Sequence, residues 1–295
     1  MNISSHGPTP LVSICIPSYN GEQFIEQALA SALNQSYPNI EIIIADDAST
    51  DHTLQKLSCY KVHHPKIKIY PHQQNLGLVG NWNRALQYAQ GDYIKILPQD
   101  DLIYPTCIEE QLKLLFGSCH QNNILLVSSL RNIINQQGKV LMQRGARQRK
   151  LLPARNTPWI MSGNQGIKQS IRAGTNTIGE PASVLFSRQT LSHIGCFDPS
   201  NIFLVDLDMW VRILAIPNSA VAIIQKPLAA FRISTKSTSV SSIPRHDLAF
   251  MHFIDHKIKK NRIKLNLTRG DLLLGKFMAK LNYIFRKIFY RLFLS

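Results

Sequence analysis

The sequence predicts an α/β fold in which helices flank a mostly parallel sheet. A buried strand is expected over residues 11–17, an amphipathic helix over 24–33 and a second strand over 40–45. A strand, a helix and a strand at this spacing form a βαβ unit, whose strands are parallel and joined by a right-handed crossover. A chain of 295 residues can form one large domain of this kind with a terminal extension.

Later elements follow in the order that such a sheet requires. After a weaker helix, strands are expected at 66–70, 93–97, 124–129 and 220–224, and helices at 81–89 and 204–212. An apolar stretch at 182–186 follows Gly179-Glu180-Pro181. Residues 138–158 carry six basic and no acidic side chains, and we expect them to form a mobile surface loop, either anion-binding or merely solvated.

Two pairs of adjacent carboxylates follow two of these strands. Asp46-Asp47 ends the second strand, and Asp100-Asp101 follows the strand over 93–97. Ligands of open α/β sheets bind outside the carboxyl ends of strands. Two like charges side by side are costly unless water or a cation shares them. One such pair is compatible with a solvated turn, but two at the ends of adjacent strands indicate a site.

Charge is distributed unevenly along the chain. Residues 1–130 hold 7 Lys and Arg against 11 Asp and Glu, whereas residues 131–295 hold 26 against 7. This asymmetry favours an anionic partner for the second half, such as a membrane surface or a phosphorylated ligand. No nucleic-acid partner is expected, because basic and stacking aromatic residues do not interleave and no nucleic-acid motif occurs. The glycine-rich GxGxxG and GxxxxGK[ST] phosphate loops are also missing from the sequence.

Cysteine usage and hydropathy predict a cytoplasmic protein. The five cysteines are scattered without a CxxC pair or a zinc-like spacing to histidine, which fits a reducing compartment. Residues 1–10 are polar and lack the apolar region of a signal peptide. No run of 18 uncharged apolar residues occurs, so we expect no membrane span.

Four segments, in this order, resemble the family 2 inverting glycosyltransferases of the GT-A fold. They are 12–20, Asp46-Asp47-Ala48-Ser49-Thr50-Asp51, Gln99-Asp100-Asp101, and Asp206 with Trp210 and Arg212. Each motif alone is weak, but four at matching intervals are specific. The resemblance implies a Rossmann-like GT-A domain at 11–240, with a tail at 1–10, a nucleotide-binding half at 11–130, an acceptor half at 131–240 and a basic helical extension at 241–295.

The resemblance also implies a nucleotide subsite at the first carboxylate pair. Asp47, with Asp46 beside it, would accept hydrogen bonds from the nucleotide base. The turn after the first strand would complete this subsite through Pro17, Tyr19 and Asn20. The implied donor is a nucleoside-diphosphate sugar, most commonly a UDP-sugar in this family. The implied acceptor is a glycan or a lipid-linked sugar in surface polysaccharide or glycolipid synthesis.

The remaining carboxylates would carry the chemistry. Asp101 would ligate Mg²⁺ or Mn²⁺ at the diphosphate, and Asp100 would hold the ribose or assist the metal. Asp206 would be the general base that deprotonates the acceptor hydroxyl. Without the resemblance, Asp206 and Asp208 would be first-turn residues favoured by the helix dipole, and we expect Asp208 to have that role alone.

Two positions depart from the family pattern. Pro98 stands where the fuller DxDD form carries its first acid, and Ser234 stands where many relatives carry a histidine after the arginine. Both changes remove a possible metal ligand. Two alternatives to an active glycosyltransferase remain: a nucleotidyltransferase, or a catalytically inactive scaffold that binds nucleotide sugars. The first alternative predicts a Gly/Lys/Arg-rich loop after the first strand, and Ser18-Tyr19-Asn20-Gly21 is not such a loop.

The C-terminal residues 271–295 have the pattern of a basic amphipathic helix. At about 100° per residue, four cations fall in one narrow sector and bulky apolar residues fill most of the rest. Those cations are Lys276, Lys280, Lys287 and Arg291. This pattern predicts a helix at the interface of an anionic membrane, peripheral at its cytoplasmic face. The competing hypothesis is a terminal helix packed on the catalytic domain or on a dimer partner.

Overall fold

The computed structural model describes residues 9–117, 123–144, 157–234, 246–261 and 264–293. Its strands are β1 (Val12–Ser18), β2 (Ile40–Asp46), β3 (Ile67–Pro71), β4 (Tyr93–Ile96), β5 (Leu102–Ile103), β6 (Asn123–Ile134), β7 (Val140–Arg144), β8 (Trp159–Ser162), β9 (Val184–Ser187) and β10 (Ser219–Arg232). Its helices are α1 (Ile25–Leu33), α2 (Thr53–His63), α3 (Gly77–Tyr88), α4 (Cys107–Phe116), α5 (Gly163–Ala173), α6 (Leu191–Ile194), α7 (Val205–Leu214), α8 (His246–Phe253) and α9 (Arg269–Phe293). A π-helical segment, Ile254–Ile258, continues α8.

The described strands form one sheet in the order β3-β2-β1-β4-β9-β6-β10-β5, with β7 paired to β6 and β8 to β10. Strands β3, β2, β1 and β4 are parallel to one another, and β6 is parallel to β10. Strand β9 is antiparallel to both β4 and β6. The predicted α/β class with a mostly parallel central sheet is confirmed.

The two carboxylate pairs do not end adjacent strands, and that prediction is wrong. Strand β1 lies between β2 and β4, because the chain builds outward from β1 to β3 and then crosses back to place β4 on the other side of β1. The turn after β1 therefore lies between the two pairs. Strand order reverses at this point, and the crevice at such a reversal is where open α/β sheets bind ligands.

The core consists of one apolar layer on each face of the sheet. Side chains of β1 alternate between the layers, since Ile14 and Ile16 join the cluster formed with α1, α2 and α4, whereas Cys15 joins the other. The second layer contains α3, α5 and α7 and continues without a break into α8 and α9. Phe250 of α8 belongs to the same buried cluster as Trp210 of α7.

The boundaries of the predicted elements agree with the sequence except at four places. Strand β6 extends to Ile134, past its predicted end at 129. Strand β10 extends to Arg232, well past the predicted end at 224, and it does so with irregular pairing to β6 around Pro227. Helix α3 begins at Gly77 instead of 81. Within the predicted basic loop at 138–158, residues 140–144 are strand β7, paired to β6, so a loop is wrong there; residues 145–156 lie outside the described part of the chain.

One face of α9 packs closely against α5, as the competing hypothesis for the C-terminal helix requires. At Gly275 of α9 a Cβ atom would collide with the backbone oxygen of Ile171. At Gly174, which ends α5 with φ 63°, a Cβ atom would collide with the backbone nitrogen of Ala279. The side chain of Asn282 also donates to the backbone oxygen of Ala173, at 2.8 Å. Among the described helices, none combines the length and apolarity needed to cross a bilayer.

We predict that Gly275→Ala lowers the melting temperature of the protein by several degrees. The new methyl group must push α9 away from the backbone of α5. Overpacking of this kind typically lowers the free energy of unfolding by about 1–3 kcal/mol. Each kcal/mol lowers the melting temperature of a large domain by about 2–4 °C. The matched control is Gly270→Ala in the first turn of the same helix, where the nearest atom to a Cβ is Thr268 Oγ1 at 3.6 Å.

Both substitutions replace glycine by alanine on the same helix, and the interior position 275 has the larger gain in helix propensity. A lower melting temperature of Gly275→Ala than of the control is therefore due to the contact with α5. Thermal denaturation of the full chain measures it. Equal melting temperatures for the two variants would mean that α9 does not depend on this close approach.

Candidate active site

The turn after β1 connects the two carboxylate segments. The backbone N–H of Tyr19 donates to Gln99 Oε1 at 2.8 Å, and Gln99 Nε2 donates back to the Tyr19 oxygen at 3.0 Å. On the other side, the N–H of Asn20 donates to Ser49 Oγ at 2.9 Å, and Asn20 Oδ1 accepts from the N–H of Thr50 at 2.8 Å. Three loops that carry predicted site residues are therefore held in one arrangement.

Two of these turns contain residues in the left-handed backbone region. Asn20 has φ 47° and Ala48 has φ 60°. Asparagine tolerates this conformation, but alanine adopts it at a cost that the surrounding contacts must offset. Both residues directly border the predicted nucleotide subsite, where the backbone has to leave the ends of β1 and β2 sharply.

Asp46 and Asp47 are both buried, but their surroundings differ. Asp46 accepts hydrogen bonds from Ser18 Oγ at 2.8 Å and from the hydroxyl and backbone N–H of Ser49 at 2.6 and 2.9 Å. These bonds occupy both oxygens of Asp46 and close the loop after β2. Asp47 accepts from the backbone N–H of Leu76 at 2.8 Å and lies 3.3 Å from His72 Nδ1. The other ring nitrogen of His72, Nε2, is buried without a hydrogen-bond partner.

The second pair lies against a buried arginine. The backbone N–H of Arg232 donates to Asp101 Oδ1 at 2.9 Å, and Arg232 Nε donates to the backbone oxygen of Asp100 at 2.8 Å. The other oxygen of Asp101, Oδ2, is buried without a partner. Burial raises the pKa of Asp101 well above its usual range, and the neighbouring Asp100 raises it further. Burial also raises the pKa of Asp100, although the charge of Arg232 opposes this shift.

These two carboxylates fit a hard divalent cation. The unpartnered Oδ2 of Asp101 is an available oxygen ligand, and a nearby cation would favour the ionised state that burial disfavours. In the described part of the chain, no group of three or more His, Cys, Asp or Glu side chains could enclose a metal by itself. Mg²⁺ is typically held by one or two carboxylates together with substrate phosphates, so two carboxylates suffice.

One cavity of about 220 Å³ opens beside this pair. Asp100 and Asp101 line it together with Asp206 at the first turn of α7. The structure thus brings the predicted metal ligands and the predicted base to one cavity. The predicted nucleotide-binding residues Pro17, Tyr19, Asn20, Asp46 and Asp47 are not among its lining residues; they lie at the ends of β1 and β2 and on the turns that follow these strands.

Asn176 holds the carboxylate of Asp206. Its Nδ2 donates to Asp206 Oδ2 at 2.8 Å, and its Oδ1 accepts from the backbone N–H groups of Ile178 and Gly179 at 3.0 and 3.1 Å. Because the amide oxygen is engaged by these two donors, the amide group cannot reverse. The other oxygen of Asp206 accepts from the N–H of Leu207 at 2.7 Å. Asp206 is therefore oriented from both sides.

The pKa of Asp206 is raised to about 7 by burial and, secondly, by the charge of Glu180. Glu180 itself is paired with Arg131, whose Nη2 lies 2.6 Å from Glu180 Oε1. Hydrogen bonds from Leu207 and Asn176 oppose the increase without cancelling it. A carboxylate with a pKa near neutrality is suited to accept a proton under physiological conditions.

Asp208 lies in the first turn of α7, as expected, but it makes no capping hydrogen bond, and the helix dipole is not its only role. It is buried and forms two ion pairs, to Arg212 Nε at 2.8 Å and to Lys257 Nζ at 3.0 Å. Lys257 also pairs with Asp198. Asp208 is two residues after Asp206 on α7, so its side chain points to the opposite side of the helix, away from the cavity. Its ion pair with Lys257 connects α7 to the segment after α8. The helix dipole favours Asp206 and Asp208 alike, so it does not explain why one faces the cavity and the other is paired with basic residues.

No local pattern in the sequence points to several of the residues that complete the cavity. These are Arg131, Asn176, Glu180, His246 and Arg286. The one available signal was Gly179-Glu180-Pro181, a turn before an apolar stretch. Gly179 has φ 151°, and a Cβ there would collide with the hydroxyl groups of Ser128 and Ser183, so this turn requires glycine.

Comparison with known proteins places the chain among glycosyltransferases. The family model described as glycosyl transferase family 2 matches residues 13–192. A glycosyltransferase of Rickettsia typhi without assigned function is 29% identical over 286 residues, 94% of this chain and 82% of the relative. Another glycosyltransferase without assigned function, from Haemophilus influenzae, is 38% identical over 117 residues. The matched segment is 40% of this chain and 45% of that relative. Chondroitin synthase of Escherichia coli is 40% identical over 100 residues, 34% of this chain and 14% of the synthase.

Solved structures share the fold. A TarS fragment from S. aureus in complex with UDP-GlcNAc has a TM-score of 0.60 at 18% identity, covering 94% of this chain and 73% of that one. The mannosyltransferase PcManGT from Pyrobaculum calidifontis, in complex with GDP-Man and Mn²⁺, has a TM-score of 0.59 at 17% identity, covering 91% and 74%. The GT-A fold expected from the sequence motifs is thereby confirmed.

Proposed function

The chain belongs to glycosyl transferase family 2, and we propose that it transfers a sugar from a nucleoside-diphosphate sugar to an acceptor hydroxyl with inversion at the anomeric carbon. The observation that carries this proposal is the shared cavity, in which a carboxyl group with a pKa of about 7, Asp206, faces the same space as Asp100 and Asp101. A base and a site for the departing diphosphate are the two parts that a single displacement requires.

Asp206 is the proposed base. It accepts the proton of the acceptor hydroxyl while that oxygen attacks the anomeric carbon, and Asn176 keeps its Oδ2 in position. Glu180 is already paired with Arg131, whereas Asp206 has its pKa raised to about 7, and this favours Asp206 as the proton acceptor. One displacement with one base leaves no covalent sugar intermediate, and this supports inversion.

Asp101, with Asp100, would hold Mg²⁺ or Mn²⁺ at the donor diphosphate. The cation would offset negative charge on the leaving group. Asp47 is the proposed acceptor of hydrogen bonds from the nucleotide base, next to the exposed ring of Tyr19. TarS was crystallised with UDP-GlcNAc and PcManGT with GDP-Man and Mn²⁺. Those neighbours support a nucleotide-sugar donor, with UDP and GDP both to be tested.

We further propose that the acceptor is a glycan or a lipid-linked sugar and that α9 contacts an anionic membrane. Leu273, Phe277, Ile284 and Ile288 expose half or more of their surface. At about 100° per residue they fall within roughly 60° of one another, next to the exposed cations Lys280, Lys287 and Arg291. An exposed apolar stripe beside basic residues is the pattern of an interfacial helix. The similarity to chondroitin synthase supports a polysaccharide as one acceptor class.

We expect nucleoside diphosphates to bind more tightly with Mn²⁺ or Mg²⁺ than with a chelator, because Asp101 would hold a cation that offsets the charge of the diphosphate. Calorimetry with UDP, GDP and dTDP measures this difference. Asp101→Asn should abolish it. The control is Asp92→Asn at the opposite end of β4, where one carboxylate oxygen accepts from the N–H of Leu11, a bond that an amide oxygen can keep. If no nucleotide binds, or if metal makes no difference, the proposed donor site is wrong.

We expect Asp206→Asn to lower sugar transfer about 10²–10⁴-fold while nucleotide binding stays intact. In the native enzyme, kcat/KM should fall as the pH drops through about 7, since a base with its pKa raised to about 7 becomes protonated below that value. Released nucleoside diphosphate measures the rate, and NMR of the product gives the anomeric configuration. Asp208→Asn should cost less, because Asp208 does not line the cavity. Near-normal transfer by the Asp206 variant, or retention of configuration, would exclude this mechanism.

We expect the full-length protein to sediment with anionic liposomes at low salt, with each cation near the surface contributing roughly 1 kcal/mol. Replacing Phe277, Ile284 and Ile288 together by Gln should abolish sedimentation without unfolding the protein, because all three side chains are mostly exposed. The control is Val62→Gln, an even more exposed apolar position on α2. These substitutions are preferable to deleting the tail, since the other face of α9 packs on α5. Unchanged sedimentation of the triple variant would refute membrane contact through this stripe.

A further inference from the structure

The inner face of α9 forms one wall of the active-site cavity. Tyr283, Arg286 and Phe289 all line it, as do His246 and Asp247 at the start of α8. These residues come from the C-terminal region, 150 residues or more after Ile96, the last residue of β4. The cavity therefore has a wall that the nucleotide-binding half of the sheet does not supply.

Arg286 differs from the other two arginines in this cavity. Arg131 is paired with Glu180, and Arg232 is enclosed by backbone oxygens and the N–H contact to Asp101. Arg286 donates from Nη2 to the neutral hydroxyl of Thr175 at 2.9 Å, and it forms no ion pair with any carboxylate of the described ranges. A guanidinium group in a cavity without a paired carboxylate is a site for an anion.

Titratable groups from α8 and from the loop before β9 share the cavity with Arg286. His246 has its pKa lowered to about 4 by burial and then by the charge of Arg286, so it is neutral at physiological pH. Two acidic residues also line this part of the cavity: Asp247 follows His246 on α8, and Glu180 lies on the loop before β9. Glu180 is paired with Arg131, and among the described residues no ion pair joins Arg286 to either carboxylate, so Arg286 has donors available for a ligand oxygen.

Arg286 lies on the side of the cavity that holds the proposed base. Its partner Thr175 directly precedes Asn176, and Asn176 Nδ2 donates to Asp206 Oδ2 at 2.8 Å. Two consecutive residues thus connect the guanidinium group to the carboxylate. The donor diphosphate, in contrast, is expected at Asp100 and Asp101. An anion at Arg286 therefore belongs to the molecule whose hydroxyl Asp206 deprotonates.

We propose that Arg286 binds a phosphate group of the acceptor, an inference that rests on the proposed glycosyltransferase function and specifies its acceptor. The planar guanidinium group matches two phosphate oxygens, while Thr175 keeps it turned toward the cavity. The phosphate belongs either to a lipid-linked sugar or to a free sugar phosphate. The exposed apolar stripe on the outer face of the same helix, α9, suits the lipid-linked source.

Binding of small phosphates to the full-length protein tests this inference. The probes are farnesyl phosphate, below its critical micelle concentration, and glucose 1-phosphate, each compared by calorimetry with its unphosphorylated alcohol or sugar. We expect both phosphates to bind more tightly than farnesol or glucose. Arg286→Gln should weaken phosphate binding about tenfold or more, and Arg286→Lys, which keeps the charge, should weaken it less. Arg84→Gln, which removes an exposed arginine from α3, is the matched control and should change nothing.

The outcomes separate this inference from the proposed function. UDP and GDP binding with Mn²⁺ is measured on the same variants, and Arg286→Gln should retain it, which also shows that the variant is folded. If nucleotide binds but Arg286→Gln holds the phosphates as tightly as the native protein, or if neither phosphate binds, the acceptor inference is wrong and the donor site stands. A clear preference for farnesyl phosphate identifies a lipid-linked acceptor, and equal affinities identify a free sugar phosphate; both support a phosphate site at Arg286.

Discussion

The buried side chain of Arg232 is the constraint on which the arrangement of this site depends. It is fully buried, and a buried guanidinium group is tolerated only when its donors are satisfied. Besides the carbonyl oxygen of Asp100, it donates to the carbonyl oxygens of Asn135 and Gln136 and to Gln27 of α1. Its charge also lies 4.5 Å above the ring of Phe24. One side chain thus fixes α1, the loop after β4 and the turn between β6 and β7.

The same arginine sets the electrostatics of the cavity without neutralising it. Its positive charge favours ionisation of Asp100, while burial lowers the pKa of Arg232 itself. The two adjacent carboxylates keep raised pKa values despite this partner, so the folded chain holds a place where more positive charge is favourable. On the other side, Arg131 pairs with Glu180, and Asp206 keeps its raised pKa. Fixed cations thus decide which carboxylates remain available for a metal and for a proton.

Sequence patterns predicted what depends on neighbours along the chain. The apolar run of β1, the helical spacing in α1 and the carboxylates at the ends of β2 and β4 are all local, and they predict the fold class and the edge of the sheet where a site is expected. The roles of the individual site residues came from the resemblance to family 2 glycosyltransferases. Contacts between distant segments were missed. Asn176 reaches Asp206 over 30 residues and Arg286 reaches Thr175 over 111, and no periodicity encodes such pairs. The same holds for β10, because Pro227 reads as a strand end, whereas pairing to β6 continues past it through a local irregularity.

Helix α9 shows why a hydrophobic pattern can identify one face of a helix and miss the other. The bulky apolar residues that indicate an amphipathic helix are the ones that stay exposed, such as Phe277 and Ile284. The face that packs on α5 uses Gly275 and Ala279, small residues that allow close backbone approach but contribute little to an apolar pattern. Polar residues of that inner side reach the cavity. A single rigid helix therefore carries both the exposed stripe and the wall next to Asp206. If the stripe rests on a membrane, the distance from that membrane to the attacking hydroxyl is set by the width of one helix, which suits an acceptor held at the membrane surface.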